Sequence, residues 1–346
     1  MEWLKRAQDS TGDGGVSSGY FKHYGWDASY PETTGYIIPT FFDYAHLAND
    51  IDCRRRAVAM SDFLLSIQMD NGAFRLGNHG AFPIGIPHIF DSGQIMQGLT
   101  RCYRETKQEK YLESAVKTGN WLVESQDKDG AWRKYSYRAV THTTYTRVGL
   151  ALLELFEVVE DRKYKEAAIK NIEWAISKCN KKGWFHDCGG EIELMSNPWT
   201  HFIAYAAEGI LECGVKLNNN NFIRVSTRTM NSILTKFKIE NRIRGTYYNN
   251  WESNDNYSCL TGDAQIALIW VRIFELSKDR TYYDCAVKLN DYLKTTQYLH
   301  HWNKGVEGGI KGSQPIYGRY NPHRYLNWAA KFFADLQIKL ISLNSD

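Results

Sequence analysis

His142 and Tyr145 stand three residues apart, and His201 and Tyr205 four apart, so on a helix each pair shares one face. A histidine base beside a phenol acid suits proton abstraction next to a carboxylate, the first step in cleaving or epimerising a uronic acid. That step also needs a group to neutralise the substrate carboxylate. Arg324 and Asn327 are the expected neutralisers, with His323 beside them, because Arg147 lies five positions beyond His142 and is turned away from it. Glycoside hydrolysis instead needs two carboxylates flanking the bond. Glu32, Asp91 and Asp263 are its candidates, with Glu191, Glu193 and Glu252 in loops. Glu32 and Asp91 also sit at capping-box spacing, where a carboxylate satisfies helix N–H groups. Histidines at the starts of three apolar segments favour proton abstraction, with hydrolysis as the alternative.

Flat aromatic rings and amides suit sugar binding. Trp26, Tyr30, Trp132, Trp199, Trp251 and Tyr320, with Gln94 and Gln265, complete the candidate substrate-binding set. No HExxH, CxxC or EF-hand spacing points to a metal, and no P-loop, GxGxxG or GxSxG points to a nucleotide or a serine nucleophile. No metal and no cofactor are expected.

These residues lie far apart in sequence, so a repeating scaffold must gather them. Glycine turns recur through the chain at Gly14, Gly72, Gly130, Gly183, Gly245 and Gly305. Gln8, Gln68 and Gln126 open a Q-x3-G motif three times, and the later repeats lack the glutamine. Each turn follows a polar amphipathic segment: an N-terminal stub, then 51–69, 108–126, 161–179, 220–239 and 279–297. Each precedes a more apolar one: 31–48, 91–106, 142–159, 198–214, 262–277 and 322–341. Residues 1–346 are therefore expected to form one all-α domain, an (α/α)6 barrel of six inner and six outer helices. The long outer-to-inner loops would meet at one end, where six helix N-termini create a potential that favours anions.

Composition narrows the classes. A net charge of +3 and the lack of basic runs argue against nucleic acid, and no apolar run reaches membrane-spanning length. Seven scattered cysteines without paired spacing read as reduced core thiols. The expected location is the cytoplasm, or the periplasm if a leader has been removed. The oligomeric state is left open.

The Q-x3-G-x-(Phe/Trp) turns and alternating helices resemble the (α/α)6 toroid superfamily. It comprises the prenyltransferase and squalene-cyclase repeats, six-hairpin glycosidases and several polysaccharide-lyase families. SYPETTGYIIPT (29–40) and HIFDSGQIMQGL (88–99) further resemble bacterial proteins encoded with exopolysaccharide-biosynthesis genes. The resemblance implies a polysaccharide or oligosaccharide partner. The expected activity is lyase or C5-epimerase chemistry on a uronate-containing glycan. Glycoside hydrolysis, a non-catalytic glycan-binding role in polysaccharide assembly, and terpenoid cyclase or prenyltransferase-like chemistry are the alternatives. For the last, the DxDD motif is absent; Asp50-Ile51-Asp52-Cys53 supplies only half of it.

Overall fold

Short caps set the rhythm of the chain. Several inner helices end on a left-handed residue, Asn49, Glu160 or Lys278, followed at once by Asp50, Asp161 or Asp279. Each aspartate accepts a hydrogen bond from a backbone N–H in the first turn of the outer helix. The connections are too short for anything but an antiparallel hairpin.

The computed structural model describes residues 1–80, 85–189 and 196–345. Its α-helices are α1 (Glu2–Asp9), α2 (Pro31–Ala48), α3 (Ile51–Ser66), α4 (Ile89–Thr106), α5 (Glu109–Glu124) and α6 (Thr146–Val159), followed by α7 (Arg162–Ser177), α8 (Thr200–Lys216), α9 (Asn220–Glu240), α10 (Leu260–Ser277), α11 (Arg280–Thr295) and α12 (Asn327–Ser345). The even-numbered helices form the inner ring: each packs on the next, and α12 returns to α2. The odd-numbered helices pack outside, with α1 against α12. This is the (α/α)6 toroid. Inner helices are buried almost all round, as in the unbroken buried run Thr146–Leu153, whereas outer helices bury one stripe. The inner helices approach closely: a Cβ on Gly35 would lie 2.6 Å from the Ile95 Cα of α4.

The Q-x3-G motif is a clip between neighbouring repeats. The Gln68 Nε2 donates to the Gly72 carbonyl of its own turn (3.1 Å) and to the Ser114 carbonyl of α5 (3.0 Å). Gln126 repeats this with Gly130 (3.1 Å) and Ala167 (3.0 Å), and Gln8 with Gly14 (3.0 Å) and Arg56 (3.1 Å). One later repeat does keep its glutamine: Gln297 reaches the Gly308 carbonyl at 2.7 Å across a longer turn.

Short strands lie in the long loops at one end. β1 (Gly19–Phe21) pairs antiparallel with β2 (Gly25–Trp26) and with β5 (Arg324–Leu326), setting Tyr20 opposite Tyr325. That pairing fastens the two ends of the chain together. β3 (Ser258–Cys259) pairs with β4 (Ser313–Gln314). The strand β5 corrects one expectation: α12 begins at Asn327, because residues 324–326 bond to β1. No helix among the described residues is long and apolar enough to cross a membrane.

Candidate active site

The N-terminal ends of α2, α4 and α8, the irregular segment before α6, and the loop before α12 enclose a cavity of about 560 Å³. Among the described residues two carboxyl groups line it, Glu32 and Asp91. Neither forms a capping box. The residue flanking α2 is Tyr30, which makes no side-chain cap, and the Ser29 hydroxyl instead donates to Asp13 (2.7 Å). Glu32 is left facing the cavity, where the Tyr30 hydroxyl donates to its Oε2 at 2.6 Å. Burial first, and the nearby Asp91 charge second, push the Glu32 carboxyl up to about 8 against the opposing pull of Tyr30 and Arg147. Near neutral pH Glu32 holds its proton.

Asp91 has different surroundings. It lies in the first turn of α4, where the helix end favours negative charge. The Gly77 N–H donates to Oδ1 (3.3 Å), and the His88 Nδ1 lies very close to Oδ2. The Asp91 backbone N–H also points at that nitrogen, but at 3.5 Å, so the carboxylate contact decides the tautomer and Nδ1 carries the proton. The His88 Nε2 then faces the Tyr145 hydroxyl at 3.5 Å. Neighbouring helices thus bring to the cavity a buried acid that holds its proton and a carboxyl steadied by an imidazole, the division of roles that acid–base catalysis by a carboxyl pair requires.

The two histidines expected as bases are held differently. Both ring nitrogens of His142 meet backbone carbonyls, Nδ1 at Gly189 (2.6 Å) and Nε2 at Tyr137 (3.0 Å). Burial lowers its pKa below the usual imidazole value. The neutral ring donates to one of these carbonyls and turns its lone pair toward the other, so it ties two loops together and offers no lone pair to a substrate. His201 Nδ1 faces the Gln265 Oε1 at 2.7 Å, which leaves Nε2 as an acceptor, and burial lowers the ring to about 3. So weak a base accepts hydrogen bonds and takes protons poorly. The Tyr145 hydroxyl accepts from Ser136 Oγ and the Tyr137 N–H (both 3.1 Å), and the Tyr205 hydroxyl donates to Tyr36 (3.4 Å). Burial raises both phenols above their usual value.

Beneath the floor lies Arg147. Its guanidinium stacks on Tyr205 (5.0 Å), Tyr36 (5.8 Å) and Phe332 (5.8 Å), and bonds Gln94 (2.8 Å) and Glu208 (2.5 Å). It supports the floor without lining the cavity.

Of the candidates named from sequence, the cavity gathers Glu32, Asp91, His142, Tyr145, His201, Tyr205, Tyr30, Trp199, Tyr320 and Arg324. The others lie elsewhere. Asp263 is fully buried outside the cavity with neither oxygen bonded among the described residues, and burial raises its pKa. Gln94 and Gln265 stand one layer down, holding Arg147 and His201. Asn327 bonds the Ser17 carbonyl (2.8 Å) and Thr33 (2.7 Å) and joins the segment before β1 to α2. His323 is exposed in a turn, because the helix expected to carry it starts four residues later. Trp26 packs on Trp3 and Tyr20, Trp132 is core, and Trp251 closes a groove on the outer wall. Glu252 pairs with Lys236 at 2.6 Å on the surface, and Glu191 and Glu193 lie outside the described residues. The cavity also contains residues the sequence reading passed over: His88, Phe90, Tyr36, Arg319 and Trp328. The spacing His88-x-x-Asp91, with the histidine one residue before the helix, was the available signal.

A toroid with a carboxyl pair, aromatic walls and helix N-termini converging on one cavity has the architecture of the six-hairpin glycosidases. The sequence profile of Glycosyl Hydrolase Family 88 matches residues 86–273, more than half the chain. The chain belongs to that family and is a carbohydrate-active enzyme. No curated protein matches it. Among solved structures it is similar to an unsaturated glucuronyl hydrolase specific for heparin (15% identity, TM-score 0.77, covering 100% of this chain and 95% of the other). It is also similar to a cellobiose 2-epimerase from Bacillus thermoamylovorans (16%, 0.76, 97% and 95%) and a family 88 glycosyl hydrolase from Bacteroides vulgatus (12%, 0.71, 99% and 96%).

Proposed function

We propose that this enzyme hydrolyses a glycosidic linkage at an anionic, uronate-type residue of an oligosaccharide. Glu32 acts as general acid and Asp91 as its carboxylate partner. The observation that carries the reading is the asymmetry of the pair: Glu32 is desolvated and protonated, while Asp91 is held by the His88 imidazole and the Gly77 N–H. The proton on Glu32 goes to the oxygen of the breaking bond, and the Asp91 carboxylate orients the attacking water and accepts its proton, aided by the His88–Tyr145 chain. His201 Nε2 accepts a hydrogen bond from a sugar hydroxyl, and Trp199 and Tyr320 contact the ring faces.

An anionic substrate fits the mouth. Arg324 and Arg319 line it, and Arg319 is exposed and forms no ion pair among the described residues. The similarity to a glucuronyl hydrolase points the same way. Histidine-driven epimerisation, suggested by the similarity to a cellobiose epimerase, has less support because His142 is occupied on both nitrogens and His201 is a weak base.

The test is product analysis on oligosaccharides ending in a saturated uronate, an unsaturated uronate or a neutral sugar. Hydrolysis predicts new reducing ends and one water gained per bond, with the uronate-ended substrates preferred. An isomer of unchanged mass, or a product with a newly formed conjugated double bond, would overturn the reading.

A further inference from the structure

A second concave surface runs along the outer wall. It has a volume of about 650 Å³ and is lined by one face of α9, by the Lys181–Lys182 turn after α7, and by Trp251. The α9 residues recur at three- and four-residue spacing from Asn220 to Thr235, a track about 22 Å long at the helical rise of 1.5 Å per residue. Four cations line it: Lys181, Lys182, Arg224 and Arg228. Among the described residues none has an ion-pair partner, and no carboxylate lines the groove. In the groove that holds Arg272, by contrast, the cation is neutralised locally by Glu212 and Glu275. The whole chain carries a formal charge of only +3, so these four unpaired cations exceed the net excess of the entire protein.

The cations are interleaved with neutral hydrogen-bonding groups, the Thr227 hydroxyl and the Asn231 amide among them. Arg228 sharpens the case. Among the described residues its Nε is buried without a hydrogen-bond partner, and its Nη2 meets the Cys179 sulfur at 3.7 Å. A guanidinium with no carboxylate partner among the described residues keeps its charge available to an anion that enters the groove.

We propose that this groove is a second, non-catalytic binding site for an anionic glycan. The cations meet recurring carboxylates or sulfates along the chain, and the amide and hydroxyl side chains meet the sugar hydroxyls between them. The Lys181–Lys182 turn follows the end of α7, and the chain then returns to α8, whose first residues line the catalytic cavity, so the groove reaches the end of the barrel that holds the cavity. The choice of glycan over other polyanions rests on the hydrolase reading; the existence of the site does not.

The test is native electrophoresis through gels containing polygalacturonate, neutral dextran or polyuridylate. It compares the wild-type protein with the triple variant Lys181→Ala/Lys182→Ala/Arg224→Ala. All three positions are exposed, and the variant is expected to keep the wild-type rate on a short oligosaccharide. Both proteins have the same catalytic cavity, so a difference between them reports the groove alone. Expected is retardation of the wild type by polygalacturonate and not by dextran, with about tenfold weaker retardation of the variant, as fits the loss of three solvent-exposed charge contacts. The effect should fade as salt is raised. Equal retardation of the two proteins, or stronger retardation by polyuridylate than by polygalacturonate, would overturn the proposal. A Glu32→Gln protein that still turns over would refute the hydrolase reading while leaving this comparison intact.

Discussion

Replacing Glu32 by glutamine keeps the shape of the side chain and removes its proton equilibrium. In the folded protein the carboxyl is raised from 4.5 to about 8, so the native state holds a proton that the unfolded chain releases above pH 4.5. The folded state binds more protons between those limits, and stability must fall as pH rises across them. The contribution is fully present below about pH 4.5 and lost by about pH 8. A rise from 4.5 to about 8 corresponds to about 5 kcal/mol as an upper bound, at 1.36 kcal/mol per pH unit. Relaxation around the charged form brings the expected loss nearer 2–3 kcal/mol. Denaturant unfolding of both proteins at pH 5 and pH 9 reads it directly. The Glu32→Gln variant should gain roughly 2–3 kcal/mol relative to wild type on going from pH 5 to pH 9. A stability difference that stays constant between the two pH values would refute the argument that Glu32 is buried as a neutral acid.

Three other outcomes follow from the same contacts. Tyr30→Phe removes the hydrogen bond that favours the Glu32 carboxylate, so the alkaline limb of the kcat/KM profile should move to higher pH; a limb that moves down would contradict the assignment. Arg147→Met should cost about 3 kcal/mol in denaturant unfolding because it strands Glu208, and adding Glu208→Gln should restore part of the loss. Gly130→Ala should destabilise by more than about 1 kcal/mol, measured as a lower denaturation midpoint, because φ is +91° there and the new Cβ would meet the Lys170 carbonyl at 2.3 Å.

Much of the ring was legible because its rules are local. The alternation of one-sided and all-round apolar helices, and the glutamine clip at Gln68 and Gln126, need only short stretches of sequence. The last inner helix was placed too early because the strand 324–326 is held by β1, some 300 residues away, which no local pattern announces. At the site, sequence could say which residues stand near helix starts but not which way each start is turned. Asp263 and Gln265 occupy the first turns of α10 as Glu32 does on α2, yet the ring rotates α10 so that Asp263 faces away from the cavity and Gln265 sits behind His201. His142 looked like a base because its type fits; the carbonyls that occupy both its nitrogens come from Tyr137 and from Gly189 in a separate loop. His88 was missed for the converse reason. Asp91 stands among the carboxylate candidates and also at capping-box spacing, but neither reading calls for the ring that steadies it.

The central claim is that the carboxyl pair, and not the histidines, does the chemistry. Single-turnover rates of Glu32→Gln, Asp91→Asn, His142→Ala and His201→Ala on one uronate-ended oligosaccharide test it most directly. Circular dichroism confirms that each variant is folded. The account predicts losses of about 100-fold or more for both carboxylate variants, the usual size of a lost general acid or base. It predicts that His201→Ala acts mainly on KM and that His142→Ala turns over at close to the wild-type rate. Carboxylate variants that turn over beside histidine variants that are dead would contradict it.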